Sequence, residues 1–469
     1  MEFTIMSGMM KQQSKLNKLI FTIFGSTGDL AYRKLMPAFY NLFCRGLVEY
    51  DVIFLAIGRR SWDREKYISE IKDGVKEFSK YEFSEEKFEA FAKHIDYFEM
   101  QFTESEDYQK LFNYYSSFPW AKNNDTKHIF YLAVAPRFFA TIADNLAKTG
   151  CLRGECRAII EKPFGPDPET AKATSLELER AFGEGQVYHI DHYLGKNMVQ
   201  NLYTLRVENK FLDAILNKDF VKSIRINALE KIDIGDRGAF YDQTGALGDM
   251  IQSHLFLTLI MLVMNCDAEK GSKNYLDAQI KLLKSLRDPN DIENNLIVGQ
   301  YDGYRDHDEV DPASQTETFA ALRVFIDNPR WENVEFLLRS GKATEEKLTN
   351  VEVLFKGGQV LSIEIDPNPS ITWTILADDA NLEESTTKID LSSDAEINKS
   401  DSPEAYERLV YSCYLGKKEY FPSWEQIEIT WEWILKLQNL RRECNIKLEP
   451  YSKGSKGPDS QAKMYKTKD

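Results

Sequence analysis

The first 190 residues alternate two patterns. Short apolar runs, "KLIFTIF", "VIFLAIG", "HIFYLAVAP" and "CRAIIEKPFG", are each followed by a longer amphipathic stretch, such as "WDREKYISEIKDGVKEF" or "PETAKATSLELERAF". An unbroken apolar run rich in β-branched and aromatic residues, closed by Gly or Pro, predicts a strand covered on both faces. Amphipathic helices between such strands imply right-handed crossovers and a parallel sheet. Gly46 and Gly150 fall where helices should end, since glycine accepts the left-handed conformation of that position.

Beyond about residue 190 the pattern changes. The strand "VKSIRINALE" is followed by the helical stretch "TGALGDMIQSHLFLTLIMLVM". Then come "TFAALRVFI", "VEFLLRSG", "NVEVLFKGGQVLSIEID" and "SITWTILA", separated by turns, with "KGGQ" predicted to close a hairpin. The expectation is a tail over 1–18, an α/β domain over 19–190, and an α+β domain with a large, mostly antiparallel sheet over 191–469. The last stretch, "YSKGSKGPDSQAKMYKTKD", is Gly-, Ser- and Lys-rich and reads as loosely held.

Composition narrows the partners. The 469 residues carry 59 Lys and Arg against 74 Asp and Glu, a formal charge of −15, which argues against nucleic acid as the main partner. A small anion needs only a local cluster of cations. No apolar run reads as long enough to cross a bilayer, and the N-terminus lacks the ordered regions of a signal peptide. The six cysteines are scattered. Cys151 and Cys156 have no second pair to complete a metal site, so no metal is expected. Reduced thiols and a cytoplasmic location follow.

The chemistry begins in "FTIFGSTGDLAYRKL", where Gly25 and Gly28 fall between a strand and a helix. Glycines in a first β–α turn let the backbone approach a pyrophosphate at a helix N-terminus; a tight turn without a ligand would use them too. Asp29 would repel phosphate there and is expected to turn away and cap the helix, leaving Arg33 and Lys34 to act on ligands. After the second strand, where an acidic residue would select NAD, "FLAIGRRSW" offers Arg59 and Arg60. Paired arginines suit the extra phosphate of NADP, although a solvated pair would read the same.

A second group of signals lies further on. "EKPFG" ends the last strong strand of the first domain, with Pro163 a candidate cis proline and Lys162 placed to reach nicotinamide and substrate. "HIDHYLGK" (189–196) holds two of the six histidines. His192 and Lys196 are four apart and share a face if a helical turn starts here, which would suit a phosphomonoester. His254, in "GDMIQSHLF", is either a core histidine or the base that takes a hydroxyl proton as hydride leaves carbon. Such a base needs an orienting acid. Asp249 is five residues away, about 140° around a regular helix, so Asp191 is the expected partner, and Asp249 is left for a substrate hydroxyl.

Taken in order, "GSTGDLAYRKLMP", "YLAVAP", "EKPFG", "HIDHYLGK", "YDQTGALGDMIQSH", "FIDNPRW" and "LRSGK" resemble the glucose-6-phosphate 1-dehydrogenases from about residue 19 to about residue 458. The resemblance implies a Rossmann-type coenzyme domain and oxidation of glucose 6-phosphate at C1 with NADP. It implies His254 as proton acceptor and Asp191 as its orienting carboxylate. His192, Tyr193 and Lys196 would hold the sugar phosphate; Glu230, Asp249, Lys342 and Lys347 would bind sugar hydroxyls. Gly25, Ser26, Thr27, Gly28, Arg59 and Lys162 would meet the coenzyme, with Lys34 near its nicotinamide end. A homodimer or homotetramer is implied as well.

His189 and Asn197 depart from the residues common in that family, as do "YRDHDEV" and Ser340; none removes a group assigned to chemistry. Two alternatives are a sugar oxidoreductase of the glucose–fructose oxidoreductase type and a catalytically silent NADP sensor. The first has no use for His192 with Lys196, and the second none for His254 with Asp191.

Overall fold

The computed structural model describes residues 14–118, 120, 125–165, 167–378, 384–392 and 403–465. Two units emerge, Met1–Ile190 with Tyr406–Lys418, and Asp191–Ala405 with Glu419–Asp469. The sequence reading kept 191–469 together; Tyr406–Lys418 instead joins the first unit. Two buried contacts hold it there: Arg45 pairs with Glu407, and Arg157 donates to the carbonyls of Cys413 and Tyr414.

The first unit is a parallel sheet of six strands: β1 (Leu19–Phe24), β2 (Val52–Gly58), β3 (Ile95–Glu99), β4 (Lys127–Leu132), β5 (Glu155–Ile160) and β6 (Val187–His189). Their order is β3-β2-β1-β4-β5-β6. Every residue of β1 is buried, as a strand with helices over both faces must be. The intervening helices start on the expected caps, with Asp63 and Asp167 each accepting an N–H of the first turn. Gly46 and Gly150 have φ of 69° and 72° at the helix ends where they were expected. The edge strands β3 and β6 are short and escaped the sequence reading.

The second unit carries β7 (Val221–Leu229), β8 (Leu296–Tyr301), β9 (Phe319–Val324), β10 (Glu335–Gly341), β11 (Leu348–Phe355), β12 (Val360–Asp366), β13 (Ser370–Asp378), β14 (Glu384–Asp390) and β15 (Glu449–Tyr451). They form one sheet in the order β14-β13-β12-β11-β7-β10-β9-β8-β15. It is antiparallel except where β10 meets β7 and β15 meets β8. The "KGGQ" turn closes the β11–β12 hairpin, with Gly358 at φ 87°.

Two expectations about the chain's ends are overturned. Residues 1–13 lie outside the described residues, but Leu16 is fully buried and bridges to Val48. Near the other end, β15 extends the sheet, Tyr451 and Met464 are buried, and Arg225 and Arg339 lie over the ring of Tyr465. Composition suggested looseness there because lysine, serine and glycine are frequent, whereas a few apolar and aromatic anchors decide it.

The apolar stretch of the second unit is helical from Gly238 to Val263, broken at Gly245 by a φ of 60°. By length and composition it could span a bilayer, contrary to the sequence reading, yet 89% of its most apolar window is buried within the protein. Its end is fixed by two side chains. Arg206, 1% exposed, donates to the carbonyls of Leu262 and Met264, and Trp331 donates to that of Val263 at 2.9 Å. Asp213 balances Arg206 and Arg330 together. Replacing Arg206 with Leu leaves those buried carbonyls without their donor, while Asp213 keeps Arg330. We expect a loss of roughly 1–3 kcal/mol for each carbonyl left unsatisfied, measured by urea denaturation followed through tryptophan fluorescence.

Two buried histidines and a half-buried one make stability depend on pH. Burial, reinforced by Arg153, lowers His128 to about 4. Burial, reinforced by Lys418, lowers His189 to about 3. Burial, reinforced by His254, lowers His192 to about 3. Each pKa is depressed on folding, so below about 6.5 the unfolded chain takes protons that the folded one refuses. Stability is therefore complete above that pH and falls as the pH drops toward 4. Urea midpoints measured across this range should decline, and His189→Gln, which cannot ionise, should decline less steeply.

Candidate functional site

The first unit presents its loops at the carboxyl ends of its strands. The order reverses between β1 and β4, and such a reversal opens a crevice where ligands bind. Gly25, directly after β1, has a φ of 85°, and a Cβ there would stand 2.2 Å from the carbonyl oxygen of Ala133, which follows β4. Only glycine permits both the conformation and the approach. Gly28 is exposed at the start of the helical stretch that contains Ala31–Leu35, whose first N–H groups have no partner within the helix. The turn and helix N-terminus therefore fit a pyrophosphate.

The neighbouring residues divide. Ser26 is buried, and both its N–H and its hydroxyl bond to the carbonyl of Ile57, so it shapes the turn instead of facing a ligand. Thr27 is half-buried beside Gly58. Asp29 does not cap the helix. It forms an exposed ion pair with Arg33 at 2.7 Å, because one helical turn separates them, so Arg33 is engaged while Lys34 is exposed. Arg59 is exposed at the end of β2 and makes no hydrogen bond or ion pair among the described residues. Arg60 instead lies over Trp62 at 4.8 Å. At the end of β5 the Lys162–Pro163 bond is cis, and Tyr131 donates to Glu161 beside it.

The second unit gathers the titratable groups. His254 Nδ1 lies 2.7 Å from Asp191 Oδ1, and both side chains are almost wholly buried. That carboxylate oxygen also accepts the N–H of Tyr193 at 2.9 Å, which fixes its direction. The His192 ring lies 4.7 Å from that of His254 nearly at right angles, and the Tyr193 ring stacks on His254 at 4.3 Å and 11°. Ligating atoms of Asp191, His192 and His254 lie within 4.8 Å of one another, but the 2.7 Å bond engages one atom from each of two of them. Lys196 sits 4.7 Å over the Tyr193 ring and 3.2 Å from Asp366, whose other oxygen meets Lys347 at 3.1 Å. Glu230 and Lys342 are paired with each other.

The helix under His254 is not regular. Leu247–Leu255 is a π-helix, and the N–H of Phe256 reaches back to the carbonyl of Ile251. With i→i+5 bonding, five residues make slightly more than one turn, so Asp249 and His254 differ by roughly 50°, not 140°. Helix geometry therefore does not turn Asp249 away from His254 as expected, although Asp191 is the residue hydrogen-bonded to His254. The charge of Asp249 still reaches His192.

Glu317 holds the start of this segment. Its carboxylate accepts the N–H of Leu247 at 3.1 Å while paired with Arg441, and its carbonyl accepts the N–H of Ala246. Sequence reasoning missed three residues here: Glu317, Asp366 and Tyr241. The buried hydroxyl of Tyr241 has no hydrogen-bond partner among the described residues and feels the charges of Asp249 and Glu230. Tyr241 opens the stretch "YDQTGALGDMIQSH" but carried no assigned role there, whereas Glu317 and Asp366 belong to no recognisable motif. Only the tertiary fold, unreadable from one sequence, brings those two to the site.

The sheet order and glycine turn of the first unit are those of the dinucleotide-binding oxidoreductases, which is the class the fold defines. Models of the glucose-6-phosphate dehydrogenase NAD-binding domain and C-terminal domain match residues 22–201 and 203–469. The chain belongs to that family. It is 32% identical to the glucose-6-phosphate 1-dehydrogenase of Streptococcus pneumoniae, over 95% of this chain and 94% of the relative. It is 30% identical to the cytoplasmic glucose-6-phosphate 1-dehydrogenase 6 of Arabidopsis thaliana, over 94% and 89%. A solved glucose-6-phosphate dehydrogenase in complex with its substrate superposes with a TM-score of 0.87 at 29% identity, covering 97% of this chain and 98% of the other.

Gly25→Ala should weaken coenzyme binding by about tenfold or more, since the added carbon forces a strained turn to move. Quenching of protein fluorescence on titration with reduced coenzyme measures it.

Proposed function

We propose that this chain oxidises the C1 hydroxyl of β-D-glucose 6-phosphate to 6-phosphogluconolactone with NADP as acceptor, the first step of the oxidative pentose phosphate route. The observation that carries the assignment of roles is the 2.7 Å bond between Asp191 and His254, with the His192 ring against it. Asp191 accepts Nδ1–H, which leaves the lone pair on Nε2 as the base for the C1 hydroxyl. As that proton arrives, the imidazolium is stabilised by the Asp191 carboxylate and the face of Tyr193. NADP, when bound, supplies the acceptor for the hydride that leaves C1.

Phosphate recognition falls to Lys196 and His192. Burial and the neighbouring His254 keep His192 neutral, so it serves as an N–H donor and the positive charge comes from lysine. Glu230 and Asp249 accept from sugar hydroxyls, and Lys342 donates while orienting Glu230. Lys347 lies beside Lys196 through Asp366. Gly25, Thr27, Gly28, Lys34 and Lys162 serve the coenzyme, with Ser26 holding the turn that presents them, and Arg59 meets its additional phosphate. The relatives' activity and the cation cluster disfavour both a dehydrogenase of unphosphorylated sugars and a silent sensor. A cytoplasmic location follows the plant relative, and a homodimer or homotetramer is the proposed assembly.

Initial rates of coenzyme reduction with glucose 6-phosphate test this reading. His254→Asn should lower kcat by about 10²- to 10⁴-fold, the usual worth of a general base, and move KM far less. His192→Asn should mainly raise KM for glucose 6-phosphate. If free glucose reacted as well as its phosphate, the anion site would be misassigned.

A further inference from the structure

Lys196 precedes the helix Asn197–Glu208, and Lys347 stands in the turn before β11. Nothing in the spacing of their elements requires their ammonium groups to share a partner, yet each meets a different oxygen of Asp366, at 3.2 and 3.1 Å. Asp366 is the last residue of β12 and is half-buried. We propose that Asp366 is a built-in counter-ion of the phosphate subsite, and that it sets the affinity for the sugar phosphate by holding the two lysines that the phosphate must share. The proposal rests on the reading of Lys196 as a phosphate-binding cation, and it moves Lys347 from the sugar hydroxyls to the phosphate.

The charges give the sign. Two ammonium groups drawn to one place repel each other, and with His192 neutral no anionic partner but Asp366 is bonded to either among the described residues. Partial burial opposes ionisation of Asp366, but Lys196 and Lys347 outweigh it and hold its carboxyl below the ordinary value. The three side chains therefore carry a net charge of +1, against +2 for the lysines alone. An arriving dianion gains the lysines but meets a carboxylate already bonded to them. Asp366 thus keeps the cations assembled between turnovers and limits how tightly substrate phosphate, product phosphate or a free anion can bind.

The test compares wild type, Asp366→Asn and Asp366→Glu. It reads KM for glucose 6-phosphate, the competitive inhibition constant of inorganic phosphate, and kcat/KM for free glucose. Asparagine keeps the shape and an acceptor but removes the charge. It should lower KM and the inhibition constant by on the order of fivefold, the scale of one partly screened ion pair, with a smaller effect on free glucose. Glutamate, which keeps the charge, should stay near wild type.

If asparagine raises both constants, Asp366 only scaffolds the lysines and the proposal is wrong. Equal changes for glucose and its phosphate would also overturn it. Lys347→Met gives an independent check: it should raise KM and the inhibition constant together, and no change in either would sink the assignment. Should wild type fail to oxidise glucose 6-phosphate, the proposed activity has failed instead. Calorimetric titration of inorganic phosphate into wild type and Asp366→Asn then decides the counter-ion separately, with tighter binding in the variant supporting it and equal or weaker binding refuting it.

Discussion

The hydrogen bond between Asp191 and His254 constrains much of the second unit around it. An imidazole inside protein is useful as a base only if one nitrogen is committed and the other open. The carboxylate accomplishes that only while its own direction is fixed by the N–H of Tyr193. The histidine in turn sits on a helix whose first turn is held by Glu317 and whose last carbonyls are held by Arg206 and Trp331. None of those side chains is hydrogen-bonded to the imidazole among the described residues, yet they hold the helix that carries it. Burial raises the stakes, because a charge arriving on His254 finds little water and must be met by groups already in place.

Charge in the site is arranged by neutralisation more than by accumulation. Lys342 is paired with Glu230, Lys196 and Lys347 with Asp366, and His192 carries no charge. A chain with a formal charge of −15 can still prepare an anion site in this way, because a few cations are held close and each has a carboxylate partner until a ligand competes for it. The polar groups of a hexose phosphate, acceptor at one end and mostly donor at the other, match this division between lysines and carboxylates.

Much of this was legible in the sequence because it rests on local pattern. The strands of the first unit announce themselves by unbroken apolar runs, its glycine turn by two residues between strand and helix, and the β11–β12 hairpin by "KGGQ". The pairing of Asp191 with His254 was reached by rejecting Asp249 on regular-helix geometry, which the π-helix removes. That irregularity has no signature in the hydrophobic pattern of the stretch. The return of Tyr406–Lys418 to the first unit, the anchoring of the C-terminal stretch by Tyr451 and Tyr465, and the place of Asp366 are equally non-local. Asp29 was misread for a simpler reason: a basic residue one turn later attracts a carboxylate as readily as the helix N-terminus does.

The π-helical ladder over Leu247–Leu255 takes more residues per turn than an α-helix would. A chain that lost one of them could relax to ordinary i→i+4 bonding, because four α-helical residues turn through about 400°, nearly the angle of five π-helical ones. A loss ahead of His254 absorbed in this way would leave its ring facing Asp191, whereas one that kept the wide turn would carry it off that face. The segment therefore holds a residue in excess of what an α-helix needs, and that excess bears on where Asp249 stands relative to the histidine more than on where the histidine itself points.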